Sequence, residues 1–242
     1  MTNSYDLSLR PKIIFFHGLN NNQECFGPLI THFKDLGFET ELVVLPGHGH
    51  DRREARNLKS ALTAFEQSMK RLKDTPYYAI AFSHGALYLQ LWLEKNHPHR
   101  PLKQVLLAPA LYIHRQKIIE KLLRVIPSFI VIKSLAPKKF RRYEILTAGE
   151  YNTLVQGILT FQKIRKSFRI PTMIMIDPKD ELVHAQKLKE ELKDVDFIER
   201  DYLKMGLGGH HILFHPDYFE KSEWDKFTRK IETFLGITNY EA

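Results

Sequence analysis

Cysteine is almost missing from this sequence. Cys25 stands alone among 242 residues, so no disulfide can close within the chain. No apolar run approaches the roughly eighteen residues that a membrane-crossing helix needs. Repeats and low-complexity linkers are lacking too. The opening residues, Met1-Thr2-Asn3-Ser4-Tyr5-Asp6, do not show the basic-then-apolar pattern of a secretory leader. These absences argue against a disulfide-stapled module, an integral membrane protein and a repeat array. They set the expectation of a soluble, cytoplasmic globular protein. Hydrophobic residues at 43% and charged residues at 26% are ordinary for such a chain, and its length suffices for one large α/β domain.

Acidic residues are scarce in one segment. The whole chain carries +8, from 36 basic and 28 acidic residues. Between Arg115 and Arg142 lie Arg115, Lys117, Lys121, Arg124, Lys133, Lys138, Lys139, Arg141 and Arg142 against a single acid, Glu120, so that segment alone accounts for the excess. An apolar stretch, Ile118 to Ile132, runs through it. Such a surface attracts anionic substrates or an anionic membrane, or is simply solvated lysine. No nucleic-acid-binding module is visible, so charge alone does not raise that expectation.

The hydrophobic pattern alternates. Lys12-Ile13-Ile14-Phe15-Phe16 reads as a buried strand, and Pro28 to Leu36 as a helix stopped at Gly37. Thr40 to Leu45 is a second strand, Ser60 to Leu72 a second helix, and Gln104 to Ala110 a further strand. From Leu111 to Arg169 the rhythm breaks. Ile118 to Ile126 reads as a helix stopped by Pro127, Ser128 to Ile132 as the start of another, and Gly149 to Ile164 as a third. Strand–helix alternation resumes at Pro171–Asp177 with a helix from Ala185 to Leu192. A strand near Val195–Arg200 and a last helix from Ser222 to Leu235 follow. This pattern predicts a doubly wound, mostly parallel α/β sheet. Residues 1–110 and 170–242 form its core, and 111–169 a helical cap inserted over the carboxyl ends of the strands, where such sheets place their sites.

The chain turns on Tyr77-Tyr78-Ala79-Ile80-Ala81-Phe82-Ser83-His84-Gly85-Ala86. An apolar, β-prone run ends at Ser83, and the helical run Ala86 to Leu93 begins at once. A strand that enters a helix so sharply brings the residues two before and two after the turn into near contact. Ala81 and Gly85 are small enough for that. The pattern is the G-x-S-x-G nucleophile elbow with Ala81 in the first glycine position. A plain helix N-cap serine is the competing reading. The elbow carries a further expectation: an acid, then a histidine, each after a later strand. Asp177-Pro178-Lys179-Asp180 and Gly208-Gly209-His210-His211 meet it in that order.

With those residues the chain resembles the α/β-hydrolase superfamily, in its carboxylesterase and monoacylglycerol-lipase-like branch with a small helical cap. The likeness rests on His17-Gly18-Leu19, Pro46-Gly47-His48-Gly49, Ala81-Phe82-Ser83-His84-Gly85, Asp177 to Val183 and Gly209-His210, in the family's order. It implies Ser83 as nucleophile, Asp180 as acid and His210 as base, with Asp177 and His211 as the runners-up. Asp177 is read instead as capping the turn at Pro178. The resemblance also implies an oxyanion hole from the backbone N–H groups of Leu19 and His84, whose side chains are then free to line an acyl pocket. His17 and Gly18 fall in the substrate-binding loop. No cofactor or metal is implied. His48, His50 and Asp51 have loosely metal-like spacing but lie in a loop signature of the fold. His97 and His99 are read as solvated, and Cys25 as structural.

The expected activity is hydrolysis of a carboxylic ester through an acyl-enzyme, on a small-molecule acyl ester of monoacylglycerol or lysophospholipid type. A thioesterase, acyltransferase or aminopeptidase would use the same machinery, and a non-catalytic binding protein would share the fold. Peripheral contact of the basic cap with an anionic membrane is the further partner expectation.

Overall fold

A computed structural model describes residues 10–49, 57–72, 75–95, 99–134, 136–164, 170–193, 198–202, 211–212 and 214–237. Residues 1–6, His50, Asp51, His97 and His210 lie outside this set.

Six parallel strands form one sheet: β1 (Lys12–Phe16), β2 (Thr40–Val43), β3 (Tyr77–Phe82), β4 (Gln104–Leu107), β7 (Thr172–Ile176) and β8 (Ile198–Tyr202), in the spatial order β2-β1-β3-β4-β7-β8. The register pairs Phe16 with Ala81 and Phe82 with Leu107. The carboxyl ends of the central strands therefore finish side by side. Helices α1 (Gly27–Asp35), α2 (Leu58–Lys70), α3 (His84–Leu93), α6 (Ala185–Glu191) and α7 (Lys221–Leu235) join or follow the strands. The central strands are largely apolar because helices cover both faces. Every residue of β3 is buried, and so is every residue of α3. Several boundaries fall within a few residues of those expected from the sequence. Asn57 caps α2 by accepting from the Ser60 N–H, and Gly37 closes the first helix with φ 80°.

The segment between β4 and β7 holds α4 (Gln116–Val125), a small ribbon of β5 (Val131–Lys133) against β6 (Ile145–Thr147), and α5 (Ala148–Ile164). The helix expected to begin at Ser128 is absent. Ile130, Val131 and Ile132 are β-branched, and this run pairs antiparallel with Ile145–Thr147 instead. The helix α5 is more than a cover. Its Ile158 and Phe161 belong to the main core, and at Gly157 an added Cβ would lie 3.0 Å from Leu87 of α3. Its other face meets Leu123 of α4 in a small second cluster through Ala148 and Val155.

The turn at Ser83 is strained, with φ 49° and ψ −114°. Such a residue costs of order 1–3 kcal/mol and persists only where its surroundings over-determine it. Here the Ser83 N–H donates to Leu107 O at 3.0 Å, and Ser83 O accepts from Leu87 and Ala110 at 3.2 and 3.1 Å. Helix α3 then passes so close to the end of β1 that a Cβ on Gly85 would lie 2.4 Å from His17 O and 2.5 Å from Phe16 O. Both obstacles are backbone. Gly85→Ala is expected to lower stability by ~2 kcal/mol or more in urea denaturation. A loss below about 0.5 kcal/mol would mean that the helix can move aside.

Candidate functional site

Ser83 sits at the elbow between β3 and α3, 8% exposed. His211 Nε2 lies 3.1 Å from Ser83 Oγ, and His211 Nδ1 lies 2.8 Å from Asp180 Oδ2. A carboxylate can only accept, so Nδ1 carries the proton and Nε2 faces the serine hydroxyl as an acceptor. Asp180 reaches this position from the loop after β7. Its Oδ1 accepts the N–H groups of Leu182 and Val183 at 2.8 and 2.7 Å, which leaves Oδ2 for the imidazole. Asp177 plays the turn role read from the sequence, its Oδ1 accepting the Lys179 N–H at 2.7 Å. A hydroxyl, an imidazole and a buried carboxylate in this line can move a proton off the hydroxyl and hold the resulting imidazolium.

The histidine differs from the one selected by sequence. His211, not His210, is brought to Ser83 and Asp180; His210 is among the residues not described. Core packing explains the selection. Phe214 is wedged against Phe82 and stacked on Phe26, with ring centroids 4.6 and 4.5 Å apart. That anchor, three residues along, lays the His211 ring on Phe82 at 4.8 Å, directly beside the elbow. Two adjacent histidines after two glycines carry no local sign of which one the anchor will present.

The loop after β1 is built around two further imidazoles. His17 is 2% exposed; its Nδ1–H donates to Gly18 O at 2.9 Å and its Nε2 accepts the Leu45 N–H at 3.0 Å. Gly18 O and Leu19 N–H belong to one planar trans peptide and point in opposite directions. By holding the carbonyl, His17 turns the Leu19 N–H the other way. His48 accepts the Asn20 N–H at 2.6 Å and donates Nδ1–H to Pro46 O at 3.1 Å. Among the described residues neither the Leu19 nor the His84 N–H is taken by a protein acceptor. His17 and Gly18 thus shape the loop from behind; neither lines the cavity described next.

A cavity of about 600 Å³ opens above Ser83 and His211. Leu19, Ile113, Ile119, Leu146, Leu154 and Val155 give it mostly apolar walls, all but Leu19 from the inserted segment, and Arg115 and Glu181 stand in its lining. The Leu19 side chain lines it as expected. The His84 ring does not: it packs on Tyr88 at 4.2 Å, and both its nitrogens are buried without a partner among the described residues. Cys25 is buried, with its thiol pushed up to about 12 by desolvation, and is no nucleophile at neutral pH. Among the described residues no group of three or more His, Cys, Asp or Glu side chains is placed to hold a metal. Nor is any helix long and apolar enough to cross a membrane.

The sequence profile of the hydrolase family described as serine aminopeptidase, S33, matches residues 8–217. No curated protein sequence matches the chain. Several solved structures do. One is described under two metagenome-derived lipolytic enzymes, LipS and LipT, at TM-score 0.75 with 13% identity over 95% of this chain and 94% of that one. The monoacylglycerol lipase of Paleococcus ferrophilus superposes at TM-score 0.69 with 16% identity, covering 96% of each chain. A soluble variant of the monoglyceride lipase of Saccharomyces cerevisiae, solved with a substrate analogue, superposes at 0.72 with 14% identity over 100% of this chain and 90% of that one. At these identities the likeness is one of fold.

Burial makes the histidines behind the site acid-sensitive. Desolvation, reinforced by neighbouring histidines, holds His17 well below 6.5 and His84 at about 3. Desolvation also takes His48 from 6.5 to about 4. Below about pH 6.5 the unfolded chain binds protons at these rings while the folded chain does not, so stability falls as the pH drops towards 4. His48 alone accounts for a loss of about 3 kcal/mol over that window. Urea midpoints measured from pH 7 to 4 should fall accordingly. His84→Leu, which removes one of the rings and two unpartnered nitrogens, should flatten the slope.

Proposed function

Since the chain belongs to the serine aminopeptidase S33 family of hydrolases, we propose that it hydrolyses carboxylic esters through a Ser83–His211–Asp180 triad. The line of contacts at 3.1 and 2.8 Å at the foot of an apolar cavity carries this reading. Ser83 Oγ attacks the acyl carbon as His211 Nε2 takes its proton. The carbonyl oxygen becomes an oxyanion facing the Leu19 and His84 N–H groups. Such donors are each worth about 3 kcal/mol in the transition state. Collapse expels the alcohol with the proton from His211 and leaves an acyl-enzyme. Water then gives up a proton to His211, attacks the same carbon and releases the acid, restoring Ser83. Asp180 keeps the imidazole in the working tautomer throughout. No cofactor takes part in this sequence.

The apolar walls from the insert support a medium- or long-chain acyl group, as in a monoacylglycerol or lysophospholipid. Structural similarity to two enzymes described as monoacylglycerol lipases is in keeping with that substrate class. Residues 111–169 serve as the cap of a core formed by 1–110 and 170–242. The single buried cysteine suits a reducing compartment, and we place the protein in the cytoplasm on that ground.

A fluorophosphonate probe should label Ser83 alone, and the label should be lost in His211→Ala but kept in His210→Ala. Ser83→Ala should lower kcat on p-nitrophenyl esters by at least about 10³-fold, with the best chain length beyond acetate. Absence of label on folded protein would favour a binding protein. Faster cleavage of aminoacyl p-nitroanilides than of esters would favour an aminopeptidase.

The basic cap adds a location to this chemistry. Ile118, Leu122, Val125 and Phe129 are 65, 54, 77 and 74% exposed, and Lys117, Lys121 and Arg124 are interleaved with them. Apolar side chains framed by cations suit the surface of an anionic bilayer, where lipid esters reside. Sedimentation should find the protein on phosphatidylglycerol-containing vesicles but not on phosphatidylcholine alone, with binding lost in Lys117→Glu/Lys121→Glu/Arg124→Glu. Turnover of short soluble esters should survive those changes.

A further inference from the structure

Asn20 follows the proposed oxyanion donor Leu19 and is 1% exposed with φ 58°. Asparagine tolerates this left-handed backbone better than most residues. Its polar groups are engaged throughout. The N–H goes to His48 Nε2 at 2.6 Å, and the carbonyl accepts the Arg142 N–H at 2.8 Å. The side-chain amide grips one cap residue from both sides: Oδ1 accepts the Tyr143 N–H at 2.8 Å and Nδ2 donates to Tyr143 O at 2.7 Å. Nδ2 also donates to Ser134 Oγ at 2.7 Å. Neighbouring residues extend the seam. Asn22 N–H donates to Phe140 O at 2.7 Å, its Nδ2 donates to Lys139 O at 3.0 Å, and Asn21 pairs antiparallel with Arg141.

We infer that Asn20 and His48 are positioning residues that make Ser134 and cap residues 139–143 a structural part of the oxyanion site. The inference rests on the reading of Ser83 as nucleophile and Leu19 as donor. Three successive peptide groups of the loop are held in turn. His17 holds the carbonyl of the peptide that carries the Leu19 N–H. His48 holds the N–H of the next peptide, and Arg142 the carbonyl of the one after. Of these three holds the last comes from the cap, as do the amide's contacts with Tyr143 and Ser134. The loop has little slack of its own to absorb a displacement. At Gly18 an added Cβ would lie 2.4 Å from Asn21 Oδ1 and 2.7 Å from the Phe82 ring, so the backbone lies flush on the residue that precedes Ser83. If the cap segment shifts, Asn20 is dragged and the Leu19 N–H loses its aim, while the walls that Ile113, Ile119, Leu146, Leu154 and Val155 give the cavity are left in place. The consequence is a loss in the chemical step and not in binding.

The test uses the full chain and p-nitrophenyl butyrate, with active sites counted by fluorophosphonate titration. Asn20→Gly keeps the left-handed backbone and removes the amide grip. Its kcat per titrated site should fall by about 10- to 100-fold, with KM within about 2-fold of the parent, since a misaimed donor forfeits much of an oxyanion contact. His48→Gln retains an acceptor for the Asn20 N–H and should keep most of the kcat that His48→Leu loses. Ser134→Ala removes one of the two Nδ2 acceptors and should cost a smaller fraction. A merely structural role would lower the melting temperature and the titrated fraction but leave kcat per site and the Gln-against-Leu contrast untouched. Parental kcat in Asn20→Gly, or a loss confined to KM, overturns the inference. Should Asn20→Gly not fold, equal kcat in the two His48 variants overturns it instead. If the parent neither turns over the ester nor labels at Ser83, the reading of the site has failed and the inference falls with it.

Discussion

The close approach of α3 to the end of β1 is the constraint on which the rest of the molecule depends. Gly85 touches the carbonyls of Phe16 and His17 because no side chain intervenes. That contact forces the tight turn at Ser83 and its strained backbone. It also places the first N–H of α3 beside the loop that begins at His17. In the proposed mechanism these two peptide groups, from distant parts of the sequence, serve one oxyanion. The site is thus a by-product of how two elements pack, and its strain is held by the parallel sheet through the Leu107 carbonyl.

Imidazoles suit the loop behind that point for a reason other than proton transfer. A neutral imidazole offers one donor and one acceptor on a rigid ring, so it can hold two backbone groups at a fixed separation. His17 does this between Gly18 and Leu45, and His48 between Asn20 and Pro46. An apolar residue would fill the space and leave the peptides unpaired. Burial keeps both rings neutral near pH 7, which the arrangement requires, because a protonated ring has no acceptor to offer. Among the described residues His84 has no such partners, and its ring contributes packing on Tyr88.

The sheet and the elbow were legible in the sequence because their signals are local. Ala81-Phe82-Ser83-His84-Gly85 records a steric requirement, and Asp180 was separable from Asp177 by its offset from Val183, whose N–H it binds. His211 was not separable from His210, since the choice is made by Phe214 seating against Phe82 and Phe26, contacts remote in sequence. The ribbon of β5 and β6 escaped for a similar reason: Ile130-Val131-Ile132 is apolar enough for either state, and its partner strand lies more than ten residues away. Asn20 and His48 sat inside motifs read as turns. A run of three asparagines, Asn20-Asn21-Asn22, was the one available sign that the loop needs more amide groups than a turn does.

These long-range contacts also decide how the insert behaves as a cover. At one root Tyr112 to His114 pairs with the loop after Asp180: Ile113 bridges Val183, the His114 N–H donates to Leu182 O at 3.0 Å, and the His184 N–H donates to Tyr112 O at 2.8 Å. Midway along the insert residues 139–143 pair with Asn20–Asn22. Along its length α5 is built into the main core through Ile158 and Phe161. Lifting the insert as a rigid lid would break several hydrogen bonds at each of these places, each worth about 1 kcal/mol, and would pull on the loops that carry Asp180 and Leu19 together. The outer face of α4 has no such ties: Ile118, Leu122 and Val125 are exposed, while Leu123 and Ile119 meet a small cluster below. Ile119 of the same helix lines the cavity, while the contacts to Leu182–His184 and to Asn20–Asn22 lie elsewhere in the insert. In the proposed mechanism the insert thus serves twice: α4 helps to wall the acyl chain, and the contacts at Tyr112–His114 and at residues 139–143 hold the loops that carry Asp180 and Leu19.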